Sequence, residues 1–444
     1  MGNLSALKIT LMPLGELTPD PRNARTHTDK QIELIAKSLD EFGFINPIII
    51  DEAGNILVGH ARHAAAKRRG MKEVPTIQVS HMSGAQKRAY IIADNRLAEL
   101  AGWDFDILGE ELGLLLDEDI NLDLEAIGFD ASEIDHIVLR SQEETEESQP
   151  EEPPVELPGN EPAVSEVGDL WQIGPHRLLC ANALEPESYT RLLASETAQM
   201  VFTDPPYNVP IAGHVSGLGK AKHREFAMAS GEMSRTEFTA FLRTVMTLMA
   251  RSSANGSIHF ICMDWRHAGE MEEAGCAVYS ELKNICVWAK ANAGLGTFYR
   301  SQHEFVFVWK VGTAKHINNF GLGEKGRYRT NLWTYAGANT FRKGRDEDLA
   351  DHPTVKPVKM VEDAILDCSK PKGIILDPFA GVGTTLVAAH RAKRRGYGIE
   401  LDPGYVDCAL RRLGKEMNAE PRLSATGESF EEVAARRLQG KEAA

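Results

Sequence analysis

The chain has 444 residues, of which 43% are hydrophobic and 25% charged, and its formal net charge is −15. That length predicts two or three domains; no apolar run approaches a membrane span and no basic-then-apolar signal opens the chain, so the expectation is a soluble, cytoplasmic protein with no membrane partner. The acidity is local: residues 1–100 carry 13 basic against 11 acidic side chains, residues 101–166 carry 1 against 21, and residues 167–444 carry 35 against 32, which leaves both flanking blocks open to phosphate contact.

A compact first module is predicted over residues 14–130. Thr28 with Gln31 three residues later forms a capping-box pattern, and Ile32, Ile35, Leu39 and Phe42 recur at helical spacing until Gly43 stops the helix. Pro47-Ile48-Ile49-Ile50, the turn Asp51 to Asn55, and Ile56-Leu57-Val58 read as a β-hairpin. A helix then opens at Gly59-His60-Ala61-Arg62 and ends at Gly70. Gly59, His60 and Arg62 at a strand-to-helix junction form a candidate anion site, because free N–H groups and the positive helix end face outward there; the same residues also suit a plain, well-capped helix.

The stretch from Leu17 to about Leu100, with Asn23-Ala24-Arg25, Gly43-Phe44-Ile45-Asn46-Pro47-Ile48, Gly59-His60-Ala61-Arg62-His63-Ala64-Ala65 and Ala93-Asp94-Asn95-Arg96, resembles the N-terminal domain of the ParB/sulfiredoxin superfamily. The resemblance implies a small α+β domain that handles DNA, a nucleotide phosphate, or both. Gly59-His60-Ala61-Arg62 stands where partition proteins have Gly-Glu-Arg-Arg, and the sulfiredoxin cysteine is absent, which argues against sulfiredoxin chemistry.

From Trp103 to about Leu139 the pattern is helical and acidic, with Leu108, Leu112, Leu115 and Leu116 as its apolar face. Residues 141–166 combine like charge with proline and lack aromatics, the composition of a flexible, self-repelling linker. The expected layout is residues 1–140 as the first domain with its acidic helical extension, 141–166 as linker, 167–415 as a second domain and 416–444 as a tail holding a short helix at Phe430 to Leu438.

In the second domain, Asp169 to Ile173 and His176 to Cys180 read as paired strands. The apolar run Met200-Val201-Phe202 leads directly into Thr203-Asp204-Pro205-Pro206-Tyr207-Asn208. A buried strand ending this way delivers Asp204, Pro205, Pro206 and Tyr207 to the C-terminal edge of a parallel sheet, where α/β proteins bind ligands. Asp204 and the Pro205 carbonyl accept hydrogen bonds from an amine, and Tyr207 offers a face for a base, although Asp-Pro also occurs at ordinary turns. Residues 209–232 read as a long glycine-rich loop with several cations, and Phe238, Phe241, Leu242, Val245 and Leu248 as a core helix. Strand-like runs follow at 257–262, 285–288 and 304–309. Residues 312–350 interleave Lys315, His316, Lys325, Arg327, Arg329, Arg342, Lys343 and Arg345 with Phe320, Tyr328, Trp333, Tyr335 and Phe341. That composition fits a DNA-reading segment and equally an irregular surface insertion. The six cysteines, all in this half without a CxxC pair, read as reduced core residues, and no metal-ligand set is expected.

Gly373 to Thr385 reads as a buried strand, a glycine turn and a helix start, and Glu400 follows at the next strand end, placed to hold ribose hydroxyls. Together these motifs are similar to the amino-directed DNA methyltransferases that use S-adenosyl-L-methionine, over roughly Gly168 to Leu413. The resemblance implies a Rossmann-like α/β methyltransferase domain beside the smaller α+β domain. It assigns Asp204, Pro205, Pro206 and Tyr207 to catalysis, and Asp377, Phe379, Gly381, Gly383, Thr384, Glu400 and Asp402 to the cofactor. It places His352, Thr354, Lys356 and Pro357 over the methionine end. The order of motifs is similar to the β class, with its recognition segment at about 312–350. The implied reaction methylates adenine N6 in double-stranded DNA; cytosine N4, an RNA acceptor, or a non-enzymatic ParB-like partition factor are the alternatives. A nucleoside triphosphate at the N-terminal domain, a second copy of the chain and a cognate restriction enzyme are further candidate partners.

Overall fold

A computed structural model describes residues 7–117, 124–145, 157–159, 162–209, 231–290, 298–321, 327–335 and 355–442. The chain divides into two compact units, Met1–Glu147 and Ser148–Ala444.

In the first unit, β1 (Ile9–Pro13), β2 (Thr18–Pro19), β3 (Ile48–Ile50), β4 (Asn55–Val58) and β5 (Glu73–Gln78) form a sheet in the order β1-β5-β3-β4-β2. The hairpin β3–β4 is antiparallel, and its turn is pinned by Asp51, whose carboxylate accepts from Ala53 N at 3.0 Å and Asn55 N at 2.9 Å. The helix Asp29–Phe42 starts where Thr28 accepts from Gln31 N at 3.1 Å. Only half of the expected reciprocal cap forms, because the Gln31 side chain pairs with His27 at 3.0 Å instead. Leu17, Ile48, Ile50, Ile56, Ala66 and Val74 make the main core, and Leu57, Val79 and Ile91 form a second cluster with the helix Gly84–Glu99. The acidic stretch supplies the helices Phe105–Asp117 and Ala131–Thr145, which join through Leu112, Leu116, Ile134, Ile137 and Val138.

The second unit is one ten-stranded sheet built from β6 (Leu170–Ile173), β7 (His176–Cys180), β8 (Ala198–Thr203), β9 (Ser253–Met263), β10 (Glu281–Ala289), β11 (His303–Lys310), β12 (Leu332–Thr334), β13 (Ile374–Asp377), β14 (Arg395–Glu400) and β15 (Arg422–Leu423). The spatial order is β12-β10-β11-β9-β8-β13-β14-β7-β6-β15. The pairings β9–β8, β8–β13, β13–β14 and β14–β7 are parallel, while β11 and β6 run the other way. The C-termini of β8, β13 and β14 therefore share one edge, which also receives the first residues of β11. Buried Val201, Phe238, Leu242, Met246, Phe307, Leu376 and Ile399 tie the sheet to the helix Arg235–Arg251. All six cysteines are free thiols and five are buried. Among the described residues, no helix is long and apolar enough to cross a membrane.

Two expectations from composition are corrected. The linker is narrower than residues 141–166, because helix continues to Thr145 and the N–H groups of buried Val164 and Ser165 donate to Asp407 at 2.7 and 3.0 Å. The C-terminal stretch, expected as a tail holding a short helix at Phe430 to Leu438, is part of the second unit: β15 pairs antiparallel with β6, and the helix Phe430–Glu442 sets the buried Phe430 ring 5.5 Å from that of Trp171. Arg437 completes the attachment through Asp169 and the Val164 carbonyl. The sheet edge that the C-terminal residues cover lies more than two hundred residues earlier in the chain, beyond the reach of a local pattern.

Candidate active site

β8 ends on Thr203, whose hydroxyl donates to the Asp377 carboxylate at the end of β13, 2.7 Å away. The same Asp377 oxygen accepts from Phe379 N at 3.0 Å, and Thr385 also bonds the carboxylate. Thr203 and Asp377 are 1% and 4% exposed, so this bond joins the two motif-bearing strand ends inside the protein. Burial pushes the Asp377 carboxyl up to about 6 against the pull of these donors.

After Thr203 the chain turns through Asp204, Pro205, Pro206 and Tyr207. Asn208 closes the turn with φ 54°, a left-handed conformation that Asn tolerates. Its side chain donates to the Met233 carbonyl at 2.8 Å and accepts from Gly231 N and Met233 N, both at 3.1 Å, which anchors the turn ahead of the helix Arg235–Arg251. Tyr207 donates its hydroxyl to Asp204 Oδ1 at 2.6 Å, and Lys356 Nζ donates to Asp204 Oδ2 at 2.5 Å. Lys356 also lies 3.1 Å from Glu304, the second residue of β11, and Glu304 in turn pairs with Lys290 just beyond β10. Tyr207 lies 3.2 Å from Glu304 as well.

Two carboxylates and two ammonium groups thus share one cluster, with Glu304 and Lys356 buried and Asp204 and Lys290 half-buried. Burial raises the Asp204 carboxyl; Lys356 opposes that rise and Glu304 adds to it. Burial acts upward on Glu304 too, but Lys356 and Lys290 outweigh it and hold the group at about 2. Desolvation would lower Lys356, yet its two carboxylate neighbours raise it.

On the next strand, Glu400 accepts from Gly381 N at 2.8 Å and from Asp402 N at 2.9 Å. Its carboxylate shapes the glycine loop, and burial pushes it up to about 7. Gly381 and Gly383 take φ of 50° and 78°. Open space surrounds the position of a Cβ at Gly381, so a ligand reaches the backbone there, whereas at Gly383 a Cβ would press on Ala409 at 3.0 Å. A carboxylate at a strand end, an open glycine turn and the partly exposed Phe379 ring fit a nucleoside with free ribose hydroxyls.

The structure brings Asp204, Pro205, Pro206, Tyr207, Lys356, Asp377, Phe379, Gly381, Gly383 and Glu400 to one edge. Several side chains are used differently from the sequence expectation. Lys356, expected over the methionine end, grips Asp204; Asp377 is spent on Thr203; Thr384 accepts from Arg412 at 3.0 Å; and Asp402 caps the helix Pro403–Met417. Pro357 caps the helix Val358–Cys368. His352 and Thr354 lie outside the described residues. Glu304 and Lys290 went unnoticed in the sequence, although a carboxylate opening an otherwise apolar strand was a usable signal.

In the segment expected to read DNA, Arg327 and Arg329 bond Asp367 at 3.1 and 2.8 Å. Tyr335 bonds Asp363 at 2.6 Å, and Trp333 is buried. These residues fasten β12 to the helix Val358–Cys368, so their charge and rings are not offered to a ligand. Lys325, Phe341, Arg342, Lys343 and Arg345 lie outside the described residues, as do 210–230 of the expected long loop.

In Thr203→Val, the buried Asp377 carboxylate loses a donor. The cost of ionising Asp377 builds as pH rises from the unfolded carboxyl value of 3.8 through about 6. Urea denaturation of the variant should therefore show a loss of about 1 kcal/mol at pH 5 and about 2–3 kcal/mol at pH 8.

Comparison with known proteins agrees with this division. A family model described as DNA methylase matches residues 198–411, and one described as ParB N-terminal domain matches residues 2–95. The ParB-like nuclease domain-containing protein YnaK of Escherichia coli (strain K12) is 44% identical over 82 residues, covering 18% of this chain and 94% of that protein. The type II methyltransferase M2.DpnII of Streptococcus pneumoniae is 28% identical over 236 residues, covering 50% of this chain and 84% of that protein. The crystal structure of the M1.HpyAVI–SAM complex aligns with a TM-score of 0.39 at 20% identity, over 53% of this chain and 98% of that one. Residues 198–411 are thus an N6/N4 DNA methylase domain and residues 2–95 a ParB N-terminal domain, and the chain is a DNA methyltransferase that uses S-adenosyl-L-methionine.

Proposed function

We propose that the acceptor is the N6 amine of adenine in double-stranded DNA, gripped by Asp204. The observation that carries this reading is the Asp204 carboxylate, fixed by Tyr207 and Lys356 at the strand end beside the cofactor loop. S-adenosyl-L-methionine supplies an electrophilic methyl group, and Phe379, Gly381, Gly383 and Glu400 are the residues that would hold it.

The lone pair of an exocyclic amine is delocalised into the ring, so the nitrogen is a poor nucleophile in the ground state. Asp204 and the Pro205 carbonyl accept its two N–H bonds and favour a more tetrahedral nitrogen, a gain realised mainly in the transition state. Each carboxylate oxygen has a second lone pair, so Tyr207 and Lys356 can aim Asp204 and still leave it room to accept. As the new N–C bond forms, the nitrogen becomes cationic and gives one proton to Asp204. Lys356 holds the carboxylate against its burial, and Glu304 with Lys290 balances the charge of Lys356.

Asp204→Asn should slow transfer of labelled methyl groups to DNA by at least about a hundredfold while cofactor affinity measured by calorimetry is retained. A variant as fast as the parent would remove Asp204 from the chemistry. Nucleoside analysis of the product distinguishes N6-methyladenine from N4-methylcytosine.

Glu400 accepts two ribose hydroxyls most strongly in its ionised form, and burial sets its carboxyl at about 7. Cofactor affinity should rise as pH goes from 6 to 8, with a proton released on binding. Glu400→Gln should bind more weakly and with a flat pH profile.

The N-terminal unit contributes a second reading, a nucleoside triphosphate site. It is supported by a cavity of about 230 Å³ lined by Asn23, Arg25, His27, Gly59, Arg62 and Asn95. Arg62 Nε is buried there and has no hydrogen-bond partner among the described residues. His60 is a weaker candidate: its Nε2 accepts from Asp20 N at 3.2 Å, and burial lowers its pKa, so it stays neutral at pH 7. Arg62→Ala should weaken nucleotide binding to the full chain by about tenfold or more in calorimetry, whereas His60→Gln should change it little.

A further inference from the structure

The catalytic edge of the large sheet carries an aromatic rim that methyl transfer itself does not use. Beyond β9, Asp264 accepts from Arg266 N at 3.0 Å and His267 N at 3.1 Å, which fixes a single helical turn. The Arg266 guanidinium bonds Asp264 at 3.0 Å and lies 5.1 Å from the Trp265 ring, so this half-exposed indole stands on a braced support. β9 pairs antiparallel with β11 as far as Met263↔Phe305, so the chain enters β11 at the edge where β9 ends. The residues entering β11, Phe298, Tyr299 and Arg300, therefore approach the same edge.

Phe298 is 87% exposed, the most exposed large apolar side chain among the described residues, and Tyr299 is 82% exposed. Their rings meet edge to face at 4.7 Å between centroids. Such a pair is poorly placed for folding stability, since water keeps most of its surface. It is well placed for a ligand. Lys290 and Glu304, at the bases of the two strands whose connection bears these rings, belong to the charge cluster around Asp204. The aromatic pair thus lies in the segment that enters β11 at the edge holding that cluster.

A DNA methyltransferase must take its target base out of the stack, which leaves a gap that duplex DNA closes at the enzyme's expense. Aromatic wedges offset such unstacking, and flanking arginines neutralise the phosphates on either side. We propose that Phe298 and Tyr299 enter the duplex as the target base leaves it and hold the gap open, while Arg266 and Arg300 contact the adjoining backbone. This inference rests on the amino-methyltransferase reading and adds to it a site for the remaining duplex, separate from the extruded base.

The test uses the full chain and a duplex containing the site found by sequencing methylated bases in DNA from expressing cells. The target base is either paired normally or placed opposite an abasic position, where little stacking resists extraction. Phe298→Ala/Tyr299→Ala should reduce kcat/KM by about tenfold on the paired duplex and by no more than about twofold on the abasic one, with cofactor affinity and Tm unchanged. Phe298→Tyr/Tyr299→Phe should keep most of the activity on both. An equal loss on the two duplexes, as expected for a general DNA or protein contact, overturns the proposal, and so does no loss on either. Parent enzyme that transfers no methyl group to the paired duplex would instead remove the methyltransferase reading on which the proposal depends.

Discussion

The bond from Thr203 to Asp377 is the constraint on which the active site depends. It links residues 174 positions apart and fixes β8 against β13, so the Asp204 turn and the glycine loop open side by side. A parallel sheet alone would bring the strand ends to one edge without setting how far each chain projects before turning. A short buried bond to a carboxylate sets that distance, and its low-dielectric surroundings make a slip expensive. Asp377 spends its remaining capacity on Phe379 N and Thr385, so the residue that locks the catalytic strand also shapes the start of the cofactor loop.

Electrostatic balance is the second requirement. An isolated carboxylate at Asp204, half-buried at the strand end, would shift toward its neutral form and lose strength as an acceptor. Lys356 opposes that rise, but an unopposed buried ammonium brings its own desolvation cost. Glu304 and Lys290 complete a set of two anions and two cations in which each group is stabilised by the others. The set draws on β8, β10, β11 and the segment before the helix Val358–Cys368, so the centre assembles only once the sheet has formed.

Sequence and structure agree where the signal is local. Apolar runs became strands, the Ile32 to Phe42 stripe became a helix, and both motif stretches fell at strand ends as the order of elements implied. Disagreement falls where a side chain's partner is remote. Arg327 and Arg329 look like phosphate ligands by composition, yet Asp363 and Asp367, some forty residues on, claim them. Lys356 was legible as part of a motif, but not its grip on Asp204, 152 residues away. Glu304 hid inside an apolar run because strand periodicity reports which face a residue takes and is silent about the far end of the sheet. The C-terminal helix was legible as a helix, while its purpose in covering Trp171 depended on a strand order that no local pattern encodes.

The distribution of charge reconciles an acidic chain with a polyanionic substrate. Residues 101–166 hold 21 of the 64 acidic side chains with a single basic one, and without that stretch the remainder is slightly basic. Repulsion from phosphate falls off over a Debye length of about 8 Å at physiological salt, so acidity confined to one stretch need not weaken contacts made elsewhere. Net charge alone would have argued against DNA as the substrate. The relevant quantity is the local field at the catalytic edge, where the carboxylates of Asp204 and Glu304 are already balanced by Lys356 and Lys290.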